Sequence, residues 1–199
     1  MIEAKNVFYR RVHRIISPLV HLFFPLDVRG REHLTDGAVV FCPNHSNALD
    51  PFLLAVALRY DVPVRFMAKK QLMEIPVLGW ILRKMGAFGV DRGNSDIGAV
   101  KTSIRSLREG WKLLIFPEGT RVKEGEEVEA KGGAAMIAIR AGVPMQPVYI
   151  ASKKRIFRKN KVVFGPVYYP VYTGRKGTAD EYQANVEEIM RQVKELGEQ

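Results

Sequence analysis

The sequence predicts one α/β domain with a largely parallel central sheet flanked by helices, preceded by an amphipathic N-terminal helix. Short apolar runs, partly β-branched, alternate along the chain with longer segments of helical periodicity. This alternation is typical of parallel sheets with crossover helices. The 199 residues suit a single domain with a sizeable core. We therefore expect the amphipathic helix in residues 1–25 and the α/β domain in residues 26–199.

The first predicted element is an amphipathic helix from Val7 to Phe24. At a helical period, its apolar residues share one arc of the wheel and its basic residues fall on the other. Pro18 is expected to kink the helix and Pro25 to end it. Two environments suit it: a membrane interface, where arginines meet anionic lipid, or the domain core. The apolar arc contains Phe8, Val12, Ile15, Ile16, Leu19, Leu22 and Phe23, and the polar arc contains Arg10, Arg11, His13, Arg14, Ser17 and His21.

Strands and helices then alternate up to residue 90. Asp50 and Pro51 are interpreted as an N-cap and a first helical residue, which predicts a helix from Asp50 to Leu58. The segment from Lys69 to Met85 is helical in character, is expected to break at Pro76 and Gly79, and has more apolar residues than one buried face holds. Strands are predicted at 27–29, 39–42, 62–67 and 87–90.

The second half of the chain continues the alternation. A helix from Asn94 to Glu109 carries an apolar stripe and is followed by Gly110. The last helix, from Thr178 to Leu196, opens with the capping box formed by Thr178 and Glu181. A short helix rich in small residues is predicted at 132–141, and strands are predicted at 111–116, 145–150 and 161–167.

Charge and cysteine content restrict the class of function. The formal net charge of +10 and the pI near 9.8 favour an anionic partner, such as lipid, a phosphorylated substrate or nucleic acid. The single Cys42 excludes an intrachain disulfide and a multi-cysteine zinc site. No stretch has the length and apolarity of a spanning helix, and the apolar N-terminal stretch lacks a cleavage site, which argues against secretion.

The polar segment 44–51 lies where the strand at 39–42 gives way to a helix. His45 is therefore expected in a strand-to-helix turn, where α/β folds place chemistry. Asp50 can fold back to His45 and hold one ring nitrogen protonated, which leaves the other nitrogen free to take a proton from a substrate hydroxyl. From spacing alone a second reading is equally open, in which Asp50 is only a cap and His45 only a turn residue.

Three other segments place charged groups at strand or helix ends. Arg121 in the segment 116–121 offers the planar fork that suits a phosphate, and Glu118 could orient that arginine or a substrate hydroxyl. The segment 86–92 delivers an Asp–Arg pair to the end of a strand. Lys131 precedes two glycines and a helix start, an arrangement that suits an anion. Taken singly, each also fits a solvated turn or a surface ion pair of little energy.

Taken together, four segments resemble the four sequence blocks of the glycerolipid acyltransferase family. They are N-H-x-x-x-x-D at 44–50, G-x-x-x-V-D-R at 86–92, F-P-E-G-T-R at 116–121 and V-P-x-x-P-V at 143–148. The resemblance covers about residues 28–150, and the first and third blocks together are highly specific. The chain departs from the family at Asn47, where a serine is usual, and at Gly89, where a bulky residue or proline is usual.

The resemblance implies a role for each matching residue. It makes His45 the general base and Asp50 the carboxylate that orients it. It assigns the phosphate of the acyl acceptor to a second group, to which we add Lys131 as an anion-binding residue. That group is Arg92, Glu118, Gly119, Thr120, Arg121 and Lys131.

The implied reaction is transfer of an acyl group from an acyl thioester to the sn-2 hydroxyl of 1-acyl-sn-glycerol-3-phosphate, giving phosphatidic acid for phospholipid biosynthesis. The donor is acyl-CoA or acyl carrier protein. No metal, cofactor or covalent acyl-enzyme is needed, and Cys42 is expected in the core. Other acceptors within the family, such as another lysophospholipid or glycerol phosphate, remain open.

The expected partners are lysophosphatidic acid, the thioester donor and an anionic membrane surface, but not nucleic acid. We expect a monotopic protein on the cytoplasmic face of the cell membrane, because the helix at 7–24 and the apolar stretch at 72–82 suit an interface. Two rival classes stay open. One is a hydrolase with His45, Asp50 and Glu118 as metal ligands. The other is a non-catalytic binder of anionic lipid or nucleic acid that uses the basic run 153–161, which is poor in aromatic residues for base stacking.

Overall fold

The apolar runs form seven strands and the periodic segments form seven α-helices in the computed structural model, which describes residues 2–58, 62, 64–91, 96–123, 125–126 and 128–199, with side chains from residue 7 onward. The strands are β1 (Leu26–Arg29), β2 (Val40–Pro43), β3 (Val64–Lys69), β4 (Ala87–Val90), β5 (Lys112–Leu114), β6 (Met145–Ile150) and β7 (Asn160–Phe164). The helices are α1 (Ile2–Phe23), α2 (Asp50–Ala57), α3 (Lys70–Glu74), α4 (Pro76–Lys84), α5 (Ile97–Arg108), α6 (Gly133–Ala141) and α7 (Ala179–Glu198).

The seven strands form one sheet in the order β1-β7-β6-β2-β5-β3-β4. The five strands β6, β2, β5, β3 and β4 run parallel to one another. The strand β7 pairs antiparallel with β6, and β1 pairs in parallel with β7. The predicted α/β domain with a largely parallel sheet is therefore confirmed. The reversal at β7 has a simple cause, because residues 151–159 are too few for a parallel crossover, which needs about a dozen residues or more.

Two apolar cores lie on opposite faces of the sheet. On one face, Phe41 packs with residues of α2 such as Leu54, and α1 lies over α2. On the other face, Cys42 packs with residues of α6 and α7 such as Ala138 and Ile189. Neighbouring residues of β2 point to opposite faces because side chains alternate along a strand. Helices therefore cover both faces, as a buried parallel sheet requires.

The start of α2 differs from the sequence prediction. The N-cap residue is Leu49, not Asp50, and no side chain caps this helix. Asp50 is the first helical residue, and its Oδ2 atom accepts hydrogen bonds from the backbone N–H groups of Ser46 and Asn47, both at 2.7 Å. The prediction of Asp50 as an N-cap is therefore wrong, because the carboxylate stabilises the preceding turn instead of its own helix.

The break predicted in the segment 69–85 occurs at one of the two expected positions. The chain leaves α3 at Ile75 and enters α4 at Pro76, but Gly79 lies inside α4. A Cβ atom at Gly79 would lie 2.1 Å from the carbonyl oxygen of Met73. Gly79 therefore allows α4 to pack closely on α3, and the prediction that it breaks the helix is wrong.

An exposed apolar surface is shared by α1, α3 and α4. The helix α1 continues through Pro18 and buries Tyr9 against α2, while Phe8 contacts Trp80 of α4 edge to face at 5.4 Å. Among the described residues, no helix has the length and apolarity needed to span a bilayer. The exposed apolar surface comprises the exposed apolar residues of these three helices, and Phe23 also contacts Phe157 at 5.7 Å between ring centroids. These residues are Val7, Ile15, Leu19, Leu22, Phe23, Leu72, Ile75, Val77, Leu78 and Trp80.

Candidate active site

Loops that follow three adjacent parallel strands meet at one edge of the sheet. They are the loops after β6, β2 and β5, and they contain Lys154, His45 and Glu118, respectively. The carboxyl ends of neighbouring parallel strands share an edge, which is where open α/β sheets bind ligands. The order of the strands therefore brings together segments that are far apart in the chain, with His45 and Lys154 more than 100 residues apart.

His45 and Asp50 form a buried pair in the turn after β2. The Nδ1 atom of His45 lies 3.0 Å from Oδ2 of Asp50. The whole Asp50 residue is buried, with no exposed surface. The imidazole stacks on Phe116 with ring centroids 4.0 Å apart. Burial opposes ionisation of Asp50, but contacts from His45 and Lys154 outweigh it and hold the pKa of the carboxyl below its ordinary value. An ionised Asp50 fixes the proton on Nδ1, so Nε2 is the nitrogen left for chemistry.

Hydrogen bonds from two other segments hold the turn in place. The side chain of Asn44 donates to the carbonyl of Ile150 at 2.9 Å and accepts from the N–H of the same residue at 2.8 Å. The carbonyl of His45 accepts from the N–H of Val122 at 2.8 Å. Asn47, where the chain departs from the family, accepts the N–H of Leu49 on its side-chain oxygen. The turn is therefore fixed to both neighbouring strand ends.

Glu118 lies against the same turn. Its Oε2 atom accepts the backbone N–H of His45 at 2.6 Å. Burial raises the pKa of Glu118 to about 7; the charge of Asp50 adds to the shift and the hydrogen bond from His45 opposes it. The carboxyl is thus engaged with the turn that contains His45 and Asp50, a contact that the sequence did not indicate.

Lys154 completes the surroundings of Asp50. Its Nζ atom lies 2.5 Å from Oδ1 of Asp50, on the carboxylate oxygen that His45 does not use. The lysine side chain is only 4% exposed, although it belongs to a run of basic residues. The sequence predicted no role for Lys154, and none for Asn44 beyond its place in the first block, because their partners lie about 100 residues away in the chain.

An apolar cavity of about 500 Å³ opens at His45. Aliphatic and aromatic side chains line most of it, including Phe66 from β3 and Leu82 from α4. In the part of the lining that the structure describes, the cations are Arg121 and Lys69. Leu72 and Leu78 belong both to this lining and to the exposed apolar surface. The cavity therefore connects an apolar region of the surface with the histidine.

A second, basic cleft of about 940 Å³ opens at His45 from another direction. Among the described residues, its charged lining contains six cations and three carboxylates, and Glu118 lies at its inner end beside His45. The cations are Lys123, Lys153, Arg155, Lys159, Lys161 and Lys194. His45 thus lies between an apolar cavity and a cleft with an excess of positive charge.

The other predicted site residues are distributed around the loop after β5. Gly119 has φ +67°, a backbone angle that favours glycine, and Thr120 is exposed beside it. Lys131 is exposed and lines a cavity of about 460 Å³ with Gly119 and Asp91; His45 is not in that lining, but Phe116, which stacks on His45, is. Arg92 lies outside the described residues. The binding roles of all these residues stay predictions.

The surroundings of Asp50 bear on the metal-hydrolase alternative. In the described part of the chain, no group of three or more His, Cys, Asp or Glu side chains is placed to hold a metal ion. The contacts of Asp50 are with N–H groups and an ammonium, which are hydrogen-bond donors and not metal ligands. Cys42 is fully buried, and burial raises the pKa of its thiol.

Comparison with known proteins relates this geometry to one family. The model of the acyltransferase family matches residues 25–151. A 1-acyl-sn-glycerol-3-phosphate acyltransferase of Bacillus subtilis is 32% identical over 94% of this chain and 96% of its own length. A chloroplast relative from Brassica napus with the same enzyme name is 31% identical over 75% of this chain, which spans 45% of that longer protein.

A solved structure gives the same result. The crystal structure of the 1-acyl-sn-glycerophosphate acyltransferase of Thermotoga maritima superposes with a TM-score of 0.68 and 26% identity, over 99% of this chain and 80% of that one. The segment that the family model matches, residues 25–151, contains the turn with His45, the loop with Arg121 and all five parallel strands. The chain belongs to the acyltransferase family.

Proposed function

We propose that this protein transfers an acyl group from an acyl thioester to the sn-2 hydroxyl of 1-acyl-sn-glycerol-3-phosphate, and so forms phosphatidic acid for phospholipid biosynthesis. The observation that carries the proposal is the His45–Asp50 pair between an apolar cavity and a basic cleft. The enzyme names of the relatives in Bacillus subtilis and Brassica napus support this acceptor.

The chemistry is direct attack of the acceptor oxygen on the thioester. Nε2 of His45 takes the proton of the hydroxyl as its oxygen bonds to the carbonyl carbon. The carbon–sulfur bond then breaks, and the thiolate receives the proton from the imidazolium. Asp50 holds Nδ1–H and stabilises the transient positive charge of the ring. No acyl-enzyme forms, in line with the burial of Cys42.

The acceptor is assigned to the apolar cavity. Its acyl chain fits the aliphatic lining, its hydroxyl meets His45, and its phosphate meets the guanidinium of Arg121. A lipid acceptor reaches this cavity from a bilayer, and the exposed apolar surface of α1, α3 and α4 lies beside its entrance. We therefore propose that this surface docks on the cytoplasmic face of the membrane, with Arg10, Arg11 and Arg14 toward anionic headgroups.

The donor is assigned to the basic cleft. Acyl-CoA and acyl carrier protein both present their thioester on a phosphopantetheine arm, which is anionic and water-soluble. A cleft with six cations and three carboxylates suits such an arm, and its inner end reaches His45. The two substrates would then approach the histidine from different sides, the acceptor from the lipid and the donor from the water.

The experiment is a transfer assay with purified protein and vesicles that contain lysophosphatidic acid. Acyl-CoA and acyl carrier protein are supplied in separate reactions, and phosphatidic acid is measured. Glycerol 3-phosphate and lysophosphatidylcholine serve as control acceptors. We expect phosphatidic acid with at least one donor, unaffected by a strong chelator. Acylation of a control acceptor alone, or no product with either donor, would contradict the proposal.

A further inference from the structure

We propose that Lys154 is a positioning residue of the catalytic pair: it holds Asp50 and balances the charge of the carboxylate that contacts His45. This inference rests on the proposed role of His45. It concerns a residue outside the segment 25–151 that the family model matches.

Three contacts account for the ammonium group of Lys154. Nζ lies 2.5 Å from Oδ1 of Asp50, donates to Oγ of Ser46 at 3.0 Å, and donates to the carbonyl of Ala151. Ser46 is fixed in turn, because its hydroxyl donates to the carbonyl of Ser152 at 3.1 Å. The lysine therefore ties the loop after β6 to the catalytic turn after β2.

The same contacts argue against a role in binding substrate phosphate. A lysine ammonium has three hydrogens, and this one makes an ion pair with Asp50 and donates hydrogen bonds to two other protein oxygens. The side chain is 4% exposed, whereas the neighbouring Lys153 and Arg155 are exposed and line the basic cleft. Lys154 thus differs from the rest of the basic run in both burial and partner.

The charge of Lys154 has a defined effect on His45. A fully buried carboxylate without a counterion would attract a proton strongly, and the adjacent imidazole would hold one as imidazolium. The ammonium on the far oxygen of Asp50 reduces that attraction while the hydrogen bond to Nδ1 is kept. Other charged groups that face His45 are Glu118, on its backbone N–H, and Arg121, in the lining of the same cavity.

The test compares Lys154→Met, which removes the charge at similar size, with Lys154→Arg, which keeps it. Arg158→Met is the matched control, since Arg158 belongs to the same basic run but is exposed and outside the lining of the cleft. The readout is the pH dependence of kcat/KM, because a loss of folded protein scales the whole profile without moving it. If Lys154→Met does not fold, Lys154→Gln takes its place.

We expect Lys154→Met to lower kcat/KM at neutral pH by roughly 10-fold or more, on the scale seen when a partner that orients a functional group is lost. Its acidic limb should move to higher pH, because His45 then stays protonated over a wider range. Lys154→Arg should restore the position of the limb, and Arg158→Met should leave it unchanged. A uniform loss at every pH, or an unmoved limb, would overturn the inference.

A second measurement separates this inference from the proposed reaction. The imidazole of His45 is titrated by NMR in the parent and in the Lys154 variant, and its signal is assigned by its absence in His45→Gln. The ring should protonate at higher pH in the variant, whatever substrate the enzyme uses. An unchanged titration would overturn the role of Lys154 even if acyl transfer is established.

Discussion

The carboxylate of Asp50 is the most constrained group of the site at the scale of single residues. One oxygen receives the N–H groups of Ser46 and Asn47 and faces Nδ1 of His45, and the other faces Lys154. The spacing of His45 and Asp50 predicted the pair, because five residues are enough for a turn to fold back. The sequence also predicted that Asp50 is the N-cap residue of α2, because an acidic residue before a proline is typical of a helix start. In the structure, the carboxylate instead accepts hydrogen bonds from the N–H groups of the preceding turn.

A prediction about Arg121 follows from its place in the lining of the apolar cavity. Arg121→Ala should raise KM for lysophosphatidic acid far more than KM for the thioester donor, because the guanidinium is assigned to the acceptor phosphate. Steady-state kinetics with each substrate varied in turn measure both values. Arg175→Ala, at an exposed position outside the cavities described, is the control. Equal increases for both substrates would show that Arg121 does not select the acceptor.

Glu118 predicts a dependence of stability on pH. Its pKa is raised to about 7 in the folded state from a value near 4.5, so the folded state binds the proton more tightly than the unfolded state. This contribution to stability is fully present below pH 4.5 and is lost as the pH rises through about 7. For a half-buried carboxyl we expect a loss on the order of 1–2 kcal/mol over that window.

Urea unfolding of the parent and of Glu118→Gln between pH 4 and 8 measures this loss. Glutamine keeps an oxygen for the N–H of His45 but does not titrate. The free energy of unfolding of the parent should therefore fall relative to that of the variant as the pH rises. Two curves that stay parallel across the window would mean that the carboxyl of Glu118 is not perturbed.

At the scale of elements, local patterns predicted the strands and helices better than the reasons for their ends. The bounds of β4 and β6 agree with the prediction, and the capping box of Thr178 and Glu181 opens α7. Gly79 was misread because a glycine that breaks a helix and a glycine that admits a neighbouring helix look alike in sequence. The two cases are distinguished in the structure, where a Cβ atom at Gly79 would lie 2.1 Å from the carbonyl oxygen of Met73.

The helix α1 combines the two environments that the sequence left open. Tyr9 is buried against α2, whereas Ile15, Leu19 and Phe23 are 67%, 53% and 44% exposed. Replacing these three residues together with serine should release the protein from anionic vesicles and leave the domain folded. Each lost apolar side chain should reduce the free energy of binding to the membrane by on the order of 1 kcal/mol or more, because less apolar surface leaves water. Vesicle sedimentation and thermal unfolding measure the two effects.

The control for this experiment is Tyr169→Ser/Val171→Ser. These residues are 73% and 75% exposed but lie before α7, away from the proposed membrane surface. The control should sediment with vesicles as the parent does. Unfolding of the triple variant would instead assign the whole helix to the domain core, and equal release of both variants would remove the special role of α1.

At the scale of the whole molecule, the sheet places an apolar cavity and a basic cleft next to one histidine, His45. The strand order β6-β2-β5 achieves this by aligning three loops at one edge. Sequence blocks predicted the members of these loops that follow the family pattern, such as His45 and Arg121. They did not predict Lys154 or the role of Asn44, because contacts across the sheet depend on strand order and on the reversal at β7, which no local pattern reports.

The most direct test of the central claim compares His45→Ala with Cys42→Ser in the transfer of an acyl group to lysophosphatidic acid. His45→Ala should lose about 10²–10⁴-fold in kcat or more, because the proposed general base is removed. It should still fold and bind vesicles. Cys42→Ser should keep most of the activity, since the thiol is buried in the core on the face of α6 and α7. An active His45→Ala together with an inactive Cys42→Ser would contradict direct transfer by a histidine base.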